Sequence, residues 1–293
     1  MFFIVKVSDE ALGRLMVMCR LFGGLSLNFS IFSKYLLEDP CSLYIQSRID
    51  RSKLQGDGWG VGFYVNGFSR IVKSEKPIYE EYERFKVVVR NLNSLIAVAH
   101  IRRASNPRGL PREKIISIEN SQPFGYGSYL FAHNGVITIP DEMAAILGSW
   151  KLKIRGLNDS EVYFWHIVKE LSEGRSLPQA LKNFQKNLLR VWDESRGKHP
   201  DKDRPYIGLN MIFSDGEKLY AYCKYDEERD GKVKSLCYKD QPALQMSYVL
   251  DSEKLIVVSE KTNVEDYWKP LRSGQLLTGQ IVDGKIRVHI EEV

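Results

Sequence analysis

The sequence predicts an α+β fold in which helices pack on largely antiparallel sheets. Three observations carry that expectation. Strand-like segments come early, helical segments fill the middle, and strand-like segments return at the end. That order is unlike the strand–helix alternation of a parallel sheet. Asn66-Gly67, Asp215-Gly216 and Asp283-Gly284 each separate two β-like runs, as hairpin turns between antiparallel neighbours do. The run 94–105 is continuously apolar at its centre, the pattern of a strand buried on both faces.

The elements follow in order. Residues 58–74, GWGVGFYVNGFSRIVKS, read as two short strands joined at Asn66-Gly67. Pro77 opens a helical pattern over 77–92, a residue suited to the first turn because its missing N–H has no intrahelical partner there. Buried strands are expected at 94–105 and 128–137. Helices are expected at 140–150, at 159–171 with Asp159 and Ser160 at the capping end, and at 176–194. From Tyr206 the pattern is β-like again: 206–225, 255–260 and 274–290. No internal repeat, low-complexity segment or Pro/Gly/Ser linker divides the chain.

Composition narrows the function. The 293 residues carry 42 basic and 37 acidic side chains, a difference of +5, with the signs interspersed. Without a basic run or face, nucleic-acid binding is not expected. Nor is membrane insertion, since no apolar run approaches the roughly 20 residues a span needs. The N-terminal MFFIV is followed by Lys6, Asp9 and Glu10 rather than by a signal peptide's apolar stretch, so a cytoplasmic location is expected. The four cysteines lack C-x-x-C spacing, so no metal is expected, nor an organic cofactor. Cys41, Cys223 and Cys237 read as buried small hydrophobes.

Several short motifs are ambiguous alone. QGDGWGVGF (55–63) has G-x-G spacing, but β-like sequence follows where a dinucleotide-binding loop would open a helix. Its glycines fit a close backbone approach beside a ligand or another strand. AHIRRAS (99–105) places His100, Arg102 and Arg103 at a strand end, where an arginine can clamp a carboxylate or simply face solvent. FAHNGVI (131–137) could be a hairpin turn; equally, an Asn amide and the next Gly N–H can address one oxygen, as in an oxyanion hole. LNDSEVYF (157–164) is a helix cap or a carboxylate placed for an ammonium group.

Read together, MCRLFG, GDGWG, AHIRRAS, HNG and NDSE resemble, in this order, the signature series of the class II glutamine amidotransferases, members of the N-terminal-nucleophile hydrolases. The likeness is greatest to their stand-alone form and covers about residues 18–282. It implies a four-layer αββα sandwich, with two mainly antiparallel sheets between helix layers. It implies that Cys19 is the nucleophile and its own α-amine the base. Asn134 and Gly135 match the oxyanion hole, Arg102 the residue that binds the substrate α-carboxylate, and Asp159 the one that binds its α-ammonium.

Two departures bear on function. Asn106-Pro107 stands where many synthase-type relatives have a histidine, so lid contacts are not carried over. The 293 residues are not expected to hold an acceptor domain either. The implied activity is cysteine-dependent hydrolysis of the glutamine side-chain amide, with ammonia passed to a separate synthase subunit. Alternatively, water is the acceptor and the chain is a γ-glutamyl-compound hydrolase. A non-enzyme alternative is a glutamine-binding sensor that keeps its leader. An acylase of apolar amides is disfavoured, having no use for a zwitterion clamp.

Residues 1–18 are expected to be a leader and 19–293 a single glutaminase-type domain. The leader reflects a misassigned start with Met18 the true one, or a propeptide cleaved before Cys19. If it stays, Cys19 has an amide where the base should be. The first reading is preferred.

Overall fold

A computed structural model of the chain describes residues 18–293. All of the expected leader except Met18 lies outside the described residues. Among these, thirteen strands form two sheets in which every pairing is antiparallel. They are β1 Arg20–Ser26, β2 Trp59–Val65, β3 Phe68–Ser74, β4 Ile96–Ile101, β5 Phe124–Tyr126, β6 Tyr129–Ile137 and β7 Tyr206–Ser214. The rest are β8 Lys218–Tyr222, β9 Met246–Leu250, β10 Lys254–Val258, β11 Lys269–Leu271, β12 Gln275–Val282 and β13 Lys285–Glu292. One sheet runs β11-β9-β10-β1-β4-β2-β3 and the other β13-β12-β8-β7-β6-β5.

Three apolar clusters define the layers. Leu21, Val98, Ala132, Ile212 and Val257 fill the space between the sheets. Phe22, Trp59, Ala97 and Ala99 bury the outer face of the first sheet under Tyr35, Leu43 and Phe85. Phe131, Leu209, Met211 and Phe213 do the same for the second sheet, under Val162, Tyr163, Phe184 and Leu188. Successive residues of one strand, such as Ala97 and Val98, thus enter different clusters, because side chains alternate across a sheet. Four layers with three interfaces are the αββα sandwich that the motifs imply. Among the described residues no helix is long and apolar enough to cross a membrane.

Local expectations hold where turn and cap chemistry dominates. Asn66 and Gly67, with φ of 51° and 79°, form the β2–β3 turn in the left-handed region. Ser176 caps the helix Leu177–Ser195 in a reciprocal capping box with Gln179. Asn158, one residue earlier than expected, caps the helix Asp159–Ser172, its side chain accepting the Ser160 N–H at 3.0 Å.

Three expectations are corrected. The helix foreseen over 77–92 starts at Tyr82, because Ile78 is drawn fully into the core and Pro77 closes a turn with Glu80 and Glu81. The helix foreseen over 140–150 ends at Ala145; Gly148, at φ 66°, turns the chain into a short 3-10 segment. Cys41 and Cys237 are not isolated small hydrophobes but partners in a disulfide, while Cys19 and Cys223 are free thiols.

Candidate active site

The registers Arg20↔Ile101 and Trp59↔Ile101 bring the ends of β1, β4 and β2 to one edge of the first sheet. Cys19 precedes β1, Arg102 follows β4 and Gly58 precedes β2, so three motifs far apart in sequence converge. The backbone locks them: Arg102 N–H donates to Gly58 O at 2.8 Å and Asp57 N–H to Arg102 O at 3.0 Å. Gly58, at φ 121°, cannot carry a side chain here, since a Cβ would lie 2.5 Å from Ser121 Oγ and 2.7 Å from Ser74 O. The glycine-rich loop therefore serves a close approach to another protein segment.

Cys19 Sγ faces the Arg103 peptide, 3.4 Å from its donating N–H and 3.3 Å from its carbonyl. Burial pushes the thiol up to about 11, against the opposing pull of the Arg103 peptide and the Arg102 charge; Asp57 and Asp159 push it the same way as burial. With Met18 still joined to it, Cys19 therefore favours the thiol over the thiolate.

The second sheet supplies Asn134 and Gly135 from β6. The Asn134 amide donates to Ser259 Oγ at 3.4 Å, and the same hydroxyl accepts the Leu21 N–H at 3.0 Å, so Asn134 sits beside the start of β1. Asn134 Oδ1 is buried with no hydrogen-bond partner among the described residues. Gly135 lies at a β-bulge, where a Cβ would approach Gly208 O to 2.1 Å, so only glycine fits.

Asp159, the first residue of its helix and 1% exposed, links the two sheets' contributions. Its Oδ1 accepts from Ser105 Oγ at 3.0 Å and its Oδ2 from the Ile137 N–H at 2.7 Å. The Arg102 guanidinium, 3% exposed, donates to Ile115 O at 2.8 Å and Asp57 O at 3.4 Å. A carboxylate has about four lone-pair sites and a guanidinium five N–H donors, so both retain capacity for a ligand. Beside them opens a cleft of about 500 Å³, walled by Asp57 and the 103–107 segment on one side and Val136, Thr138 and Lys202 on the other.

The five motif residues are thus gathered at one end of the sandwich. His100 points into the buried interior, its ring nitrogens unpartnered among the described residues, and burial drives it well below its ordinary value. It is no proton acceptor for the cleft. Three contributors had no signal of their own in the sequence. Asp57 accepts the Ala104 N–H at 2.7 Å and pairs with Arg112. Ser105 and Ser259 act through the contacts above. Asp57 stands inside the GDGWG motif, where the glycines draw attention first; nothing in LIVVSE marks Ser259. The one grouping among the described residues with metal-ligand spacing is Cys41, Cys237 and Glu260, but its sulfurs are bonded to each other.

The family model for class II glutamine amidotransferases matches residues 18–292. Among curated proteins, an uncharacterised protein of Methanocaldococcus jannaschii is 29% identical over 192 residues, 64% of this chain and 48% of that protein. The gamma-glutamyl-hercynylcysteine sulfoxide hydrolase of Mycobacterium tuberculosis is 34% identical over 124 residues, 41% of this chain and 50% of the relative. The chain spans about half the length of the curated relatives it matches. Among solved structures, a glutamine aminotransferase class-II domain protein from Silicibacter pomeroyi aligns with a TM-score of 0.57, over 92% of this chain and 98% of that one. At 19% identity that likeness is one of fold. A match along practically the whole described chain, on a sandwich that gathers all five motifs at one end, decides the family: the chain belongs to the class II glutamine amidotransferases.

Proposed function

We propose that this chain hydrolyses the side-chain amide of glutamine, or of a γ-glutamyl compound, through a thioester on Cys19. The observation that carries the reading is the convergence of a free thiol, a buried arginine and a buried carboxylate beside an Asn-Gly pair at a bulge. Arg102 and Asp159 have opposite charges suited to an α-carboxylate and an α-ammonium, which together select a free glutamyl head group. The neutral thiol needs a base. An α-amine on Cys19, titrating near about 8, would take the Sγ proton as sulfur attacks the γ-carbonyl carbon. The Asn134 amide and the Gly135 N–H would hold the oxygen that becomes negative. The proton then passes to the departing ammonia or amine, and water cleaves the thioester to glutamate and free thiol.

The scheme requires a free amine, so the working chain is proposed to begin at Cys19 and to act as one domain over 19–293. Intact mass and N-terminal sequencing of native protein, followed by ammonia release from glutamine and cleavage of γ-glutamyl peptides, test it. A chain starting at Cys19 that releases ammonia supports the amidotransferase reading and a separate ammonia-accepting subunit. A chain starting at Met1 and inert to both substrates overturns it in favour of a glutamine-binding sensor.

One observation favours the hydrolase alternative, with water as acceptor. The cleft of about 500 Å³ has room for a substituent beyond the glutamyl group, and one relative is named as a γ-glutamyl hydrolase. Faster turnover of γ-glutamyl peptides than of glutamine would select it.

A further inference from the structure

Away from the cleft, the Cys41–Cys237 disulfide connects to the peptide of Cys19. It joins residues 196 apart in sequence. Glu260, fully buried, accepts the backbone N–H groups of Leu236 at 2.9 Å, Cys237 at 2.5 Å and Tyr238 at 2.9 Å. Its carboxylate lies 3.5 Å from Arg20 Nε, and Arg20 is 3% exposed. Arg20 Nη1 in turn donates to the carbonyls of Met18 and Cys19, each at 3.1 Å. The other half of the bridge grips the same segment, the Cys41 N–H donating to Thr262 O at 2.9 Å. The bridge therefore closes a ring of contacts around Glu260. A buried ion pair keeps its geometry only while the groups that solvate each charge stay in place.

We propose that Cys41–Cys237 is a reversible thiol–disulfide modification site that governs the placement of Cys19 through Glu260 and Arg20. The proposal rests on the reading of Cys19 as nucleophile. Cys41 is buried and Cys237 partly exposed, so a dithiol reductant reaches Cys237 Sγ first. Its thiolate attacks that sulfur, the S–S bond breaks, and the Cys41 thiolate departs and is protonated. The second thiol of the reductant resolves the mixed disulfide, leaving two cysteine thiols and an oxidised reductant. With the bridge open, the 236–238 N–H groups are no longer held over Glu260. Glu260 then loses the donors that fix its carboxylate 3.5 Å from Arg20 Nε, and Arg20 loses its fixed hold on the Cys19 carbonyl.

The test compares native protein, its N-terminus at Cys19 checked by mass, equilibrated in oxidising and reducing dithiothreitol buffers with a Cys41→Ser/Cys237→Ser variant processed in the same way. Turnover of glutamine and γ-glutamyl peptide is measured alongside iodoacetamide alkylation of Cys19, resolved by peptide mass. Opening the bridge should lower kcat about tenfold, the size of a typical coupling between sites. KM should stay within about twofold, and the Cys19 alkylation rate should change in parallel. The double variant should sit at the reduced value in every buffer, and Glu260→Gln should be slow in both. Equal kcat and equal alkylation in the two redox states would overturn the proposal. So would a fall that tracks loss of far-ultraviolet circular dichroism, which would make the bridge a staple of the fold. Alkylation that follows the bridge without turnover of either substrate would leave the coupling intact and sink the substrate reading instead.

Discussion

Asp159 holds the two halves of the site together, since one oxygen takes Ser105 from the arginine motif and the other takes Ile137 beyond the Asn-Gly pair. Asp159→Asn keeps an acceptor but removes the charge, so KM for glutamine should rise about 10–100-fold with kcat less affected. An unchanged KM would rule out its role as ammonium partner. Asn134→Ala should act on kcat, lowering it about 10²–10³-fold, as loss of one oxyanion donor does. Because burial pushes the Cys19 thiol up to about 11, its thiolate fraction is small at neutral pH and grows as pH rises. In the chain that keeps the residues before Cys19, peptide-resolved alkylation of Cys19 should keep increasing, about tenfold per unit, through pH 10; a plateau by pH 9 would contradict the burial. Cys19, Arg102, Asn134 and Asp159 were legible as residues because their types recur in ordered motifs. Asp57, Ser259 and Glu260 were not, because each acts on backbone N–H groups that lie elsewhere in sequence.

At the scale of elements, caps and turns were the most legible features, since their chemistry spans only a few residues. Ser176→Ala removes the Oγ that accepts the Gln179 N–H, leaves the Ser176 N–H bond to Gln179 Oε1, and should cost about 1 kcal/mol, read by thermal or denaturant unfolding. No measurable change would mean that packing alone holds that helix. β1 was not foreseen. Its seven residues include Gly23 and Gly24, which weaken strand composition, and it is a strand because β4 and β10 flank it on both sides. The two shortened helices fail for a related reason: Ile78 gains more by entering the core than by continuing a helix, and Gly148 is at ease where a helix is not.

At the scale of the molecule, the site exists because two sheets approach closely enough for β1 and β6 to share Ser259. Gly23 marks that approach, since a Cβ there would lie 2.8 Å from Ile212 Cγ2 across the interface. Gly23→Ala should therefore destabilise the chain by about 1–3 kcal/mol in denaturant unfolding, and Ile212→Leu, which lacks the Cγ2 methyl, should recover part of it in the same chain. If the double variant is no more stable than the single one, the crowding lies elsewhere. The sequence alone determined the α+β class, the hairpins, the main helices and, through its ordered motifs, the family and its candidate residues. Periodicity, turn chemistry and residue type are local properties. Only the tertiary structure decided the strand order, the Cys41–Cys237 pairing, and the partners of Asp57, Ser259 and Glu260. These depend on which distant backbone groups are left to be satisfied once the sheets have packed, and no local pattern encodes that.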